Sequence, residues 1–202
     1  MHYTNLHFRT DGKKTTNKPE AENVVWAIRH FSDIVKDPKA DKAAKADALR
    51  YIIHFVADCH QPLHCVARDT DEQPDGDRGG NDFKLGESGI KPKPRNLHFL
   101  WDLGGGLLGR VEKPLTKNSY ADIDKYASDL MKAYPATPAQ IKNQNPDKWA
   151  LEGFALAKTV VYNLQENAPV SAAYMAKCKE TAGKRLVLAG RRLAVLLNAI
   201  VK

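Results

Sequence analysis

The sequence predicts an all-α protein: a single, mostly helical domain over residues 1–202, interrupted by a long loop or small hairpin around 66–95. Three observations carry this. Apolar residues recur at helical spacing through most of the chain. No stretch alternates strictly enough to read as a convincing strand. Helix breakers, such as Pro38, Pro62 and Gly104-Gly-Gly106, fall at the ends of the periodic stretches.

Residues 19–36 form the first helix. Val24, Ile28, Phe31 and Val35 make one face, with Val25 and Trp26 alongside, and Pro38 ends it. A second helix runs from about Asp41 to His60, starting in an Ala-rich stretch of high helix propensity. Leu49, Ile52, Ile53 and Val56 form its apolar stripe. At about 100° per residue, His54 and Asp58 then fall on the opposite side, and His60 on the apolar side. Pro62 biases Gln61 away from helical angles, so His64 comes from the following turn and can point back at His54 and Asp58.

Residues 65–95 read as loop. Asp69, Asp71, Glu72, Asp75 and Asp77 precede Arg78-Gly79-Gly80-Asn81; a solvated acidic loop is favoured over a calcium site, whose helix–loop–helix pattern is absent. Phe83-Lys-Leu85 is a candidate strand, with a turn at 86–89 and a return at Ile90. Lys91-Pro-Lys-Pro-Arg95 is extended and basic.

Asn96 to Leu103 predicts a short helix. Ser119 is placed as the cap of a helix from Tyr120 to Tyr134, with Ile123, Tyr126, Ala127, Leu130 and Met131 as its apolar face. A helix over about 146–164 carries Trp149, Leu156 and Val160 on one side. The last helix spans about 170–201, with Leu186, Ala189, Leu193, Leu197 and Ile200 as its buried stripe. Gly190 in mid-helix costs about 1 kcal/mol relative to Ala, which points to close packing there.

The chemistry concentrates between His54 and Asp102. His54 and Asp58 are four residues apart, as are His98 and Asp102, and that spacing stacks side chains on one helix face. Each pair alone reads as a surface ion pair. Two pairs plus His64 just after a helix-breaking proline point to a metal site of imidazoles and carboxylates, the usual donors to zinc. His2 and His7 are not assigned by periodicity. Cys59, Cys65 and Cys178 form no Cys-x-x-Cys pair and are read as filling residues. No Walker-type phosphate loop or Ser/His/Asp nucleophile set is present.

With 31 Lys+Arg against 24 Asp+Glu, the net charge of +7 favours anionic partners, nucleic acid or phosphate esters. No apolar run reaches the roughly 18 residues of a membrane span. The opening residues do not read as a signal peptide.

The segments His54-Phe-Val-Ala-Asp58-Cys-His60-Gln-Pro-Leu-His64, Asp77-Arg-Gly-Gly-Asn81 and Asn96-Leu-His98-Phe-Leu-Trp-Asp102 resemble the trinuclear-zinc, single-strand-specific nucleases of the S-one/P-one type, and more distantly the zinc-dependent phospholipases C. Trp149-Ala-Leu-Glu152 and the Ala189-to-Asn198 end are similar to that family too. The resemblance implies a helical fold of the phospholipase C / zinc nuclease type. It implies zinc-dependent hydrolysis of single-stranded DNA and RNA to 5′-nucleotides and dephosphorylation of 3′-nucleotides, in a secreted or periplasmic protein, with a monomer as the expected state.

Position by position, the resemblance makes His2, His54 and Asp58 ligands of a first zinc, with Asp58 also reaching a third. It makes His64, His98 and Asp102 the protein ligands of a second. Asn5 falls where catalytic members often carry an Asp near the attacking water, so the catalytic positions are Asn5 and Asp58. Family members carry three further ligands ahead of the His-Tyr dipeptide with which this chain opens. Up to three zinc ions bind in the family; one or two are expected here. The alternatives are a phospholipase C and an inactive, truncated zinc-binding homologue.

Overall fold

The computed structural model describes residues 1–87, 89, 91, 93–109 and 113–201. In chain order the elements are β1 (Leu6–Phe8), α1 (Val24–Lys36), α2 (Lys42–Asp58), β2 (Val66–Arg68), α3 (Leu97–Asp102), α4 (Lys117–Ala133), α5 (Pro138–Lys142), α6 (Pro146–Leu156) and α7 (Ala172–Ile200). A 3-10 turn, Pro62–Cys65, joins α2 to β2, and a π-helical turn, Ala157–Val161, follows α6. The mostly helical fold class read from the sequence is the one observed.

The helices start where side chains can take up the orphan N–H groups of a first turn. The Asn23 side chain accepts from Val25 and Trp26, Asp41 from Ala44, Asn96 from Phe99 and Ser171 from Tyr174. In α4 the cap is Thr116 rather than Ser119, which instead returns the bond to the Thr116 backbone in a capping box. The predicted start at Tyr120 is therefore three residues late. The helix predicted over 146–164 stays α-helical only to Leu156 before the π-turn.

The core is shared by α1, α2, the Pro62–Cys65 turn, α3, α6 and α7. Val24, Ile28, Ile52, Val56, Leu63, Leu97, Leu100 and Trp149 are among its fully buried members. Cys59, Cys65 and Cys178 are buried thiols within it; burial pushes the Cys178 thiol up to about 12.

The predicted stripes need trimming. Ile53 is 50% exposed, because the inward arc of α2 is Ala48, Ile52, Phe55 and Val56. In α7, Leu186 is exposed, and a Cβ on Gly190 would meet nothing within 4 Å, so close packing does not explain that glycine. Ile123, Tyr126 and Met131 of α4 are exposed as well. Together with Leu186, Gly190 and Ala194 of α7 they line an open groove of about 1110 Å³.

Two features of the loop region were not anticipated. β1 and β2 pair in parallel, Leu6 with Val66, His7 with Ala67 and Phe8 with Arg68. This draws the amino-terminal segment onto the turn carrying His64. The acidic run is also not uniformly solvated: Asp69 and Asp77 are buried. Asp69 accepts hydrogen bonds from His7 at 2.6 Å, Asn17 at 3.0 Å and the Thr15 hydroxyl. Asp77 accepts from the backbone N–H of Arg68 and Gly80 and from the Tyr162 hydroxyl. Each carboxylate thus ties a loop to the β pair, as buried charge requires. Around Phe83–Leu85 the described backbone makes an antiparallel bridge, Lys84 to Asn96; the return predicted at Ile90 lies outside the described residues.

Candidate metal centre

α2 presents His54 and Asp58 on its solvent side, and the β1–β2 pairing delivers His2 to them. Thr4 N–H donates to the His64 carbonyl at 2.8 Å, fixing the opening residues against the ligand turn. His2 Nδ1 lies 3.0 Å from Asp58 Oδ2 and 3.0 Å from His54 Nε2, and His54 Nε2 lies 3.2 Å from Asp58 Oδ2. Three lone-pair-bearing atoms crowd into one small triangle. Ligands about 2.0–2.1 Å from a tetrahedral zinc are themselves about 3.3 Å apart, so the triangle fits one face of such a polyhedron.

His64, His98 and Asp102 form a second cluster, whose donor atoms lie within 4.8 Å of one another. His64 Nε2 is 3.6 Å from Asp102 Oδ1 and His98 Nε2 is 3.6 Å from Asp102 Oδ2. In both imidazoles the other nitrogen is already engaged. His64 Nδ1 donates to the His2 carbonyl at 2.8 Å and His98 Nδ1 donates to the Gly79 carbonyl at 2.8 Å. A carbonyl can only accept, so the proton sits on Nδ1 and the Nε2 lone pair faces Asp102. That is how metal-binding histidines are commonly oriented. Asp58 Oδ1 lies 3.9 Å from His64 Nδ1, so this carboxylate stands between the two clusters.

The clusters differ in exposure. The His2 and His54 side chains are 58% and 57% exposed, against 15% and 16% for His64 and His98. The imidazoles of the second site are thus the more sheltered from water, while its carboxylate, Asp102, is more exposed than Asp58. Burial alone would lower the His64 pKa, but the Asp102 and Asp58 carboxylates outweigh it and raise it. Burial keeps His98 below its usual value. Burial alone would raise Asp102; the neighbouring His64 and His98 and the hydrogen bond from Gln61 hold it below the usual carboxylate range. The cluster therefore keeps a carboxylate beside two imidazoles, and cation binding there competes with protonation of His64.

The Asp77-Arg-Gly-Gly-Asn81 motif supports the second cluster. Arg78, Gly79 and Gly80 all have positive φ. This turn aims the Gly79 carbonyl at His98 Nδ1 and the Gly80 carbonyl at the His98 N–H. A Cβ on Gly79 would lie 2.3 Å from the Leu63 carbonyl oxygen. Gly79→Ala is accordingly expected to destabilise the fold by at least about 2 kcal/mol, combining left-handed strain with a backbone clash. At roughly 2–4 °C per kcal/mol for a chain of this size, thermal unfolding should shift down by about 4–8 °C; an unchanged midpoint would show that the turn relaxes freely.

A cavity of about 450 Å³ opens beside both clusters, lined by His2, Tyr3, Asn5, His64, Arg78 and Asn81 among others. Asn5 is thus beside the site, as a neutral amide. Periodicity left His2 unassigned, and the strand pairing is what brings it here. Tyr3 was not picked out from the sequence, and Gln61, Arg78 and Asn81 stood inside quoted motifs without an assigned role. Gln61 donates to Asp102 Oδ1 at 2.9 Å while its Oε1 accepts from the Leu63 N–H. Its position inside His60-Gln-Pro-Leu-His64 was the available signal. His60 is buried and faces away from both clusters, with Nδ1 2.8 Å from the Val56 carbonyl.

The fold and the site define a helical protein bearing two adjoining His/Asp clusters, each able to hold a divalent cation. The S1/P1 Nuclease family model matches residues 1–202, and the chain belongs to that family. It is 27% identical to Nuclease P1 of Penicillium citrinum over 147 residues, 68% of this chain and 50% of that protein. It is 27% identical to Endonuclease 1 of Arabidopsis thaliana over 190 residues, 89% and 56% respectively. Nuclease S1 of Aspergillus oryzae is 32% identical over 79 residues, 39% and 23%. The chain spans about half the length of the first two of these curated relatives.

Proposed function

We propose that this protein is a zinc-dependent phosphoesterase that hydrolyses single-stranded DNA and RNA to 5′-nucleotides and removes phosphate from 3′-nucleotides. The observation that carries the proposal is the pair of clusters, His2/His54/Asp58 and His64/His98/Asp102, meeting at Asp58 beside a cavity of about 450 Å³. Family membership and the names of the relatives support nucleic acid as the substrate. Four imidazoles and two carboxylates suit zinc better than calcium or magnesium, which prefer all-oxygen sites.

When bound, zinc supplies an activated water and neutralises charge on phosphate oxygens. The chain's own residues prepare for this. The Nδ1 bonds of His64 and His98 fix which nitrogen faces the ion. Asp58 offers one carboxylate oxygen to the first cluster and turns the other toward the second. Asn5 and Asn81 put amide groups at the cavity wall, where they can donate to phosphate oxygens. Asn5 is neutral and cannot take a proton. Arg78 adds positive charge at the wall, although Asp82 already engages it at 2.9 Å through two nitrogens; its role is steering. Tyr3, half exposed at the same wall, offers a ring face for a base, which suits single strands whose bases are free to stack.

The sheltered second cluster fills first and the open first cluster more weakly, giving one or two ions per chain. Purified protein titrated with zinc should therefore bind between one and two equivalents and gain activity in step. It should cleave single-stranded RNA and release phosphate from 3′-AMP, while a chelator removes both activities. Preferential hydrolysis of phosphatidylcholine would replace this reading by a phospholipase C. Zinc binding without turnover on any of the three would make the chain a non-catalytic zinc-binding homologue.

A further inference from the structure

We propose that Glu152, Arg185 and Arg192 are positioning residues that set the geometry of the metal-ligand segment from behind, through His60; this rests on the reading of the two clusters as a metal centre. Asp58, at the end of α2, and His64, in the 3-10 turn, are separated by Cys59-His60-Gln61-Pro62-Leu63, and the spacing of these two ligands depends on how that connection is held. His60 is its buried anchor. Its carbonyl accepts from Arg185 Nε at 2.9 Å, and its ring nitrogen Nε2 lies 3.1 Å from Arg192 Nη1. The His60 Nδ1 donates back to Val56, tying the connection to the last turns of α2.

Both arginines come from α7, seven residues apart on one face, and their hydrogen bonds go to His60, Glu152, Trp149 and Gln140 and to no residue of the clusters. Glu152 of α6 holds them together. It accepts from Arg185 at 2.6 Å and from Arg192 at 2.7 and 2.8 Å. The remaining guanidinium nitrogens are engaged too: Arg185 reaches the Trp149 carbonyl at 3.2 Å and Arg192 the Gln140 carbonyl at 3.0 Å. Two planar forks locked by one carboxylate have little freedom to shift. The same helix α6 also packs against the turn that carries His64. A Cβ on Gly153, next to Glu152, would lie 2.7 Å from Cys65 Sγ, so α6 lies directly against the ligand turn.

A core filled only by apolar side chains would stabilise this region at least as well. What the charged frame adds is direction: it specifies where the His60 backbone and ring sit, and hence where Asp58 and His64 stand relative to each other. Groups that act on metal ligands at one remove typically change metal affinity by 10–100-fold.

The test measures the zinc dissociation constant by competition with a chromogenic chelator, at a temperature where every variant is shown to be folded by circular dichroism. The variants are Arg192→Lys, which keeps the charge beside Glu152 but loses the fork, and Glu152→Gln, which keeps the shape but loses the charge. Val35→Ala, in the α1 core away from this frame, is the control for loss of stability alone. We expect zinc affinity to fall at least tenfold in Arg192→Lys and Glu152→Gln, and to stay within twofold of the unsubstituted chain in Val35→Ala. Equal affinity in all four proteins would overturn the positioning role while leaving the metal centre intact. The same loss in Val35→Ala as in the other two would reduce the frame to general stability and overturn it too. Failure of the unsubstituted chain to bind zinc would remove the metal centre, and this proposal with it.

Discussion

Asp58→Asn is expected to lower hydrolysis of single-stranded nucleic acid by at least about 10³-fold and to reduce bound zinc by one equivalent. Asp58 stands where the two clusters adjoin. Oδ2 lies 3.0 Å from His2 and 3.2 Å from His54, and Oδ1 faces His64 at 3.9 Å. An amide preserves the shape but presents one oxygen in place of two and no negative charge. The first cluster would keep two imidazoles, both more than half exposed, and no anion to oppose the charge of a cation. A metal ion contributes several kcal/mol of transition-state stabilisation, and 10³-fold corresponds to about 4 kcal/mol. The check is elemental analysis together with initial rates on single-stranded RNA at saturating zinc. His98→Ala serves as a comparison: it strips a ligand from the second cluster but leaves the junction. Retention of full activity by Asp58→Asn would mean that the two clusters work independently or that neither is the reacting centre.

How far this site could be read from the sequence depends on the range of the contacts that build it. α1 and α2 were legible because local rules suffice, although α1 begins at Val24, capped by Asn23, and not at residue 19. Their apolar residues recur every three to four positions, and Pro38 stops α1. The i, i+4 pairs His54/Asp58 and His98/Asp102 were legible for the same reason, and Pro62 explained why His64 leaves the helix. His2 and Asn5 obey no local period. They reach the site through a three-residue parallel pairing with a segment sixty residues away, which no window along the chain contains. Resemblance to a family flagged them; spacing did not. Asp69 and Asp77 failed in the opposite direction. In sequence they belong to an acidic loop, yet each is buried by hydrogen bonds from distant donors such as His7 and Tyr162. The apolar face of α4 shows a further limit. Periodicity found Ile123, Tyr126 and Met131 on one side of a helix, but a period says which residues share a face, not whether that face is covered.

Glu152→Ala is expected to destabilise the protein by about 3 kcal/mol, lowering its thermal midpoint at pH 7 by about 6–12 °C. The Arg192 side chain is fully buried and that of Arg185 is 8% exposed, so losing their shared carboxylate leaves two guanidinium groups without an anion. Glu152 itself is about one third exposed, which keeps the expected cost at the low end of that for broken buried pairs. The same carboxylate gives the acid limb of stability a definite sign. Burial alone would raise its pKa, but Arg192 and Arg185 outweigh this and hold it at about 2. In the unfolded chain the group titrates near 4.3. Between those values the unfolded state binds the proton and the folded state does not, so this contribution is complete above about pH 4.3 and is lost as pH falls toward 2. His60, which faces Arg192, is pushed down to about 3 by burial and by the nearby arginines, so its own share begins to fade nearer pH 6.5. Thermal unfolding at pH 7, 5, 4 and 3, with a chelator present so that metal release does not enter, separates the two. The parent midpoint should approach that of Glu152→Ala between pH 4 and 3, and parallel curves across that interval would assign the acid limb to other carboxylates.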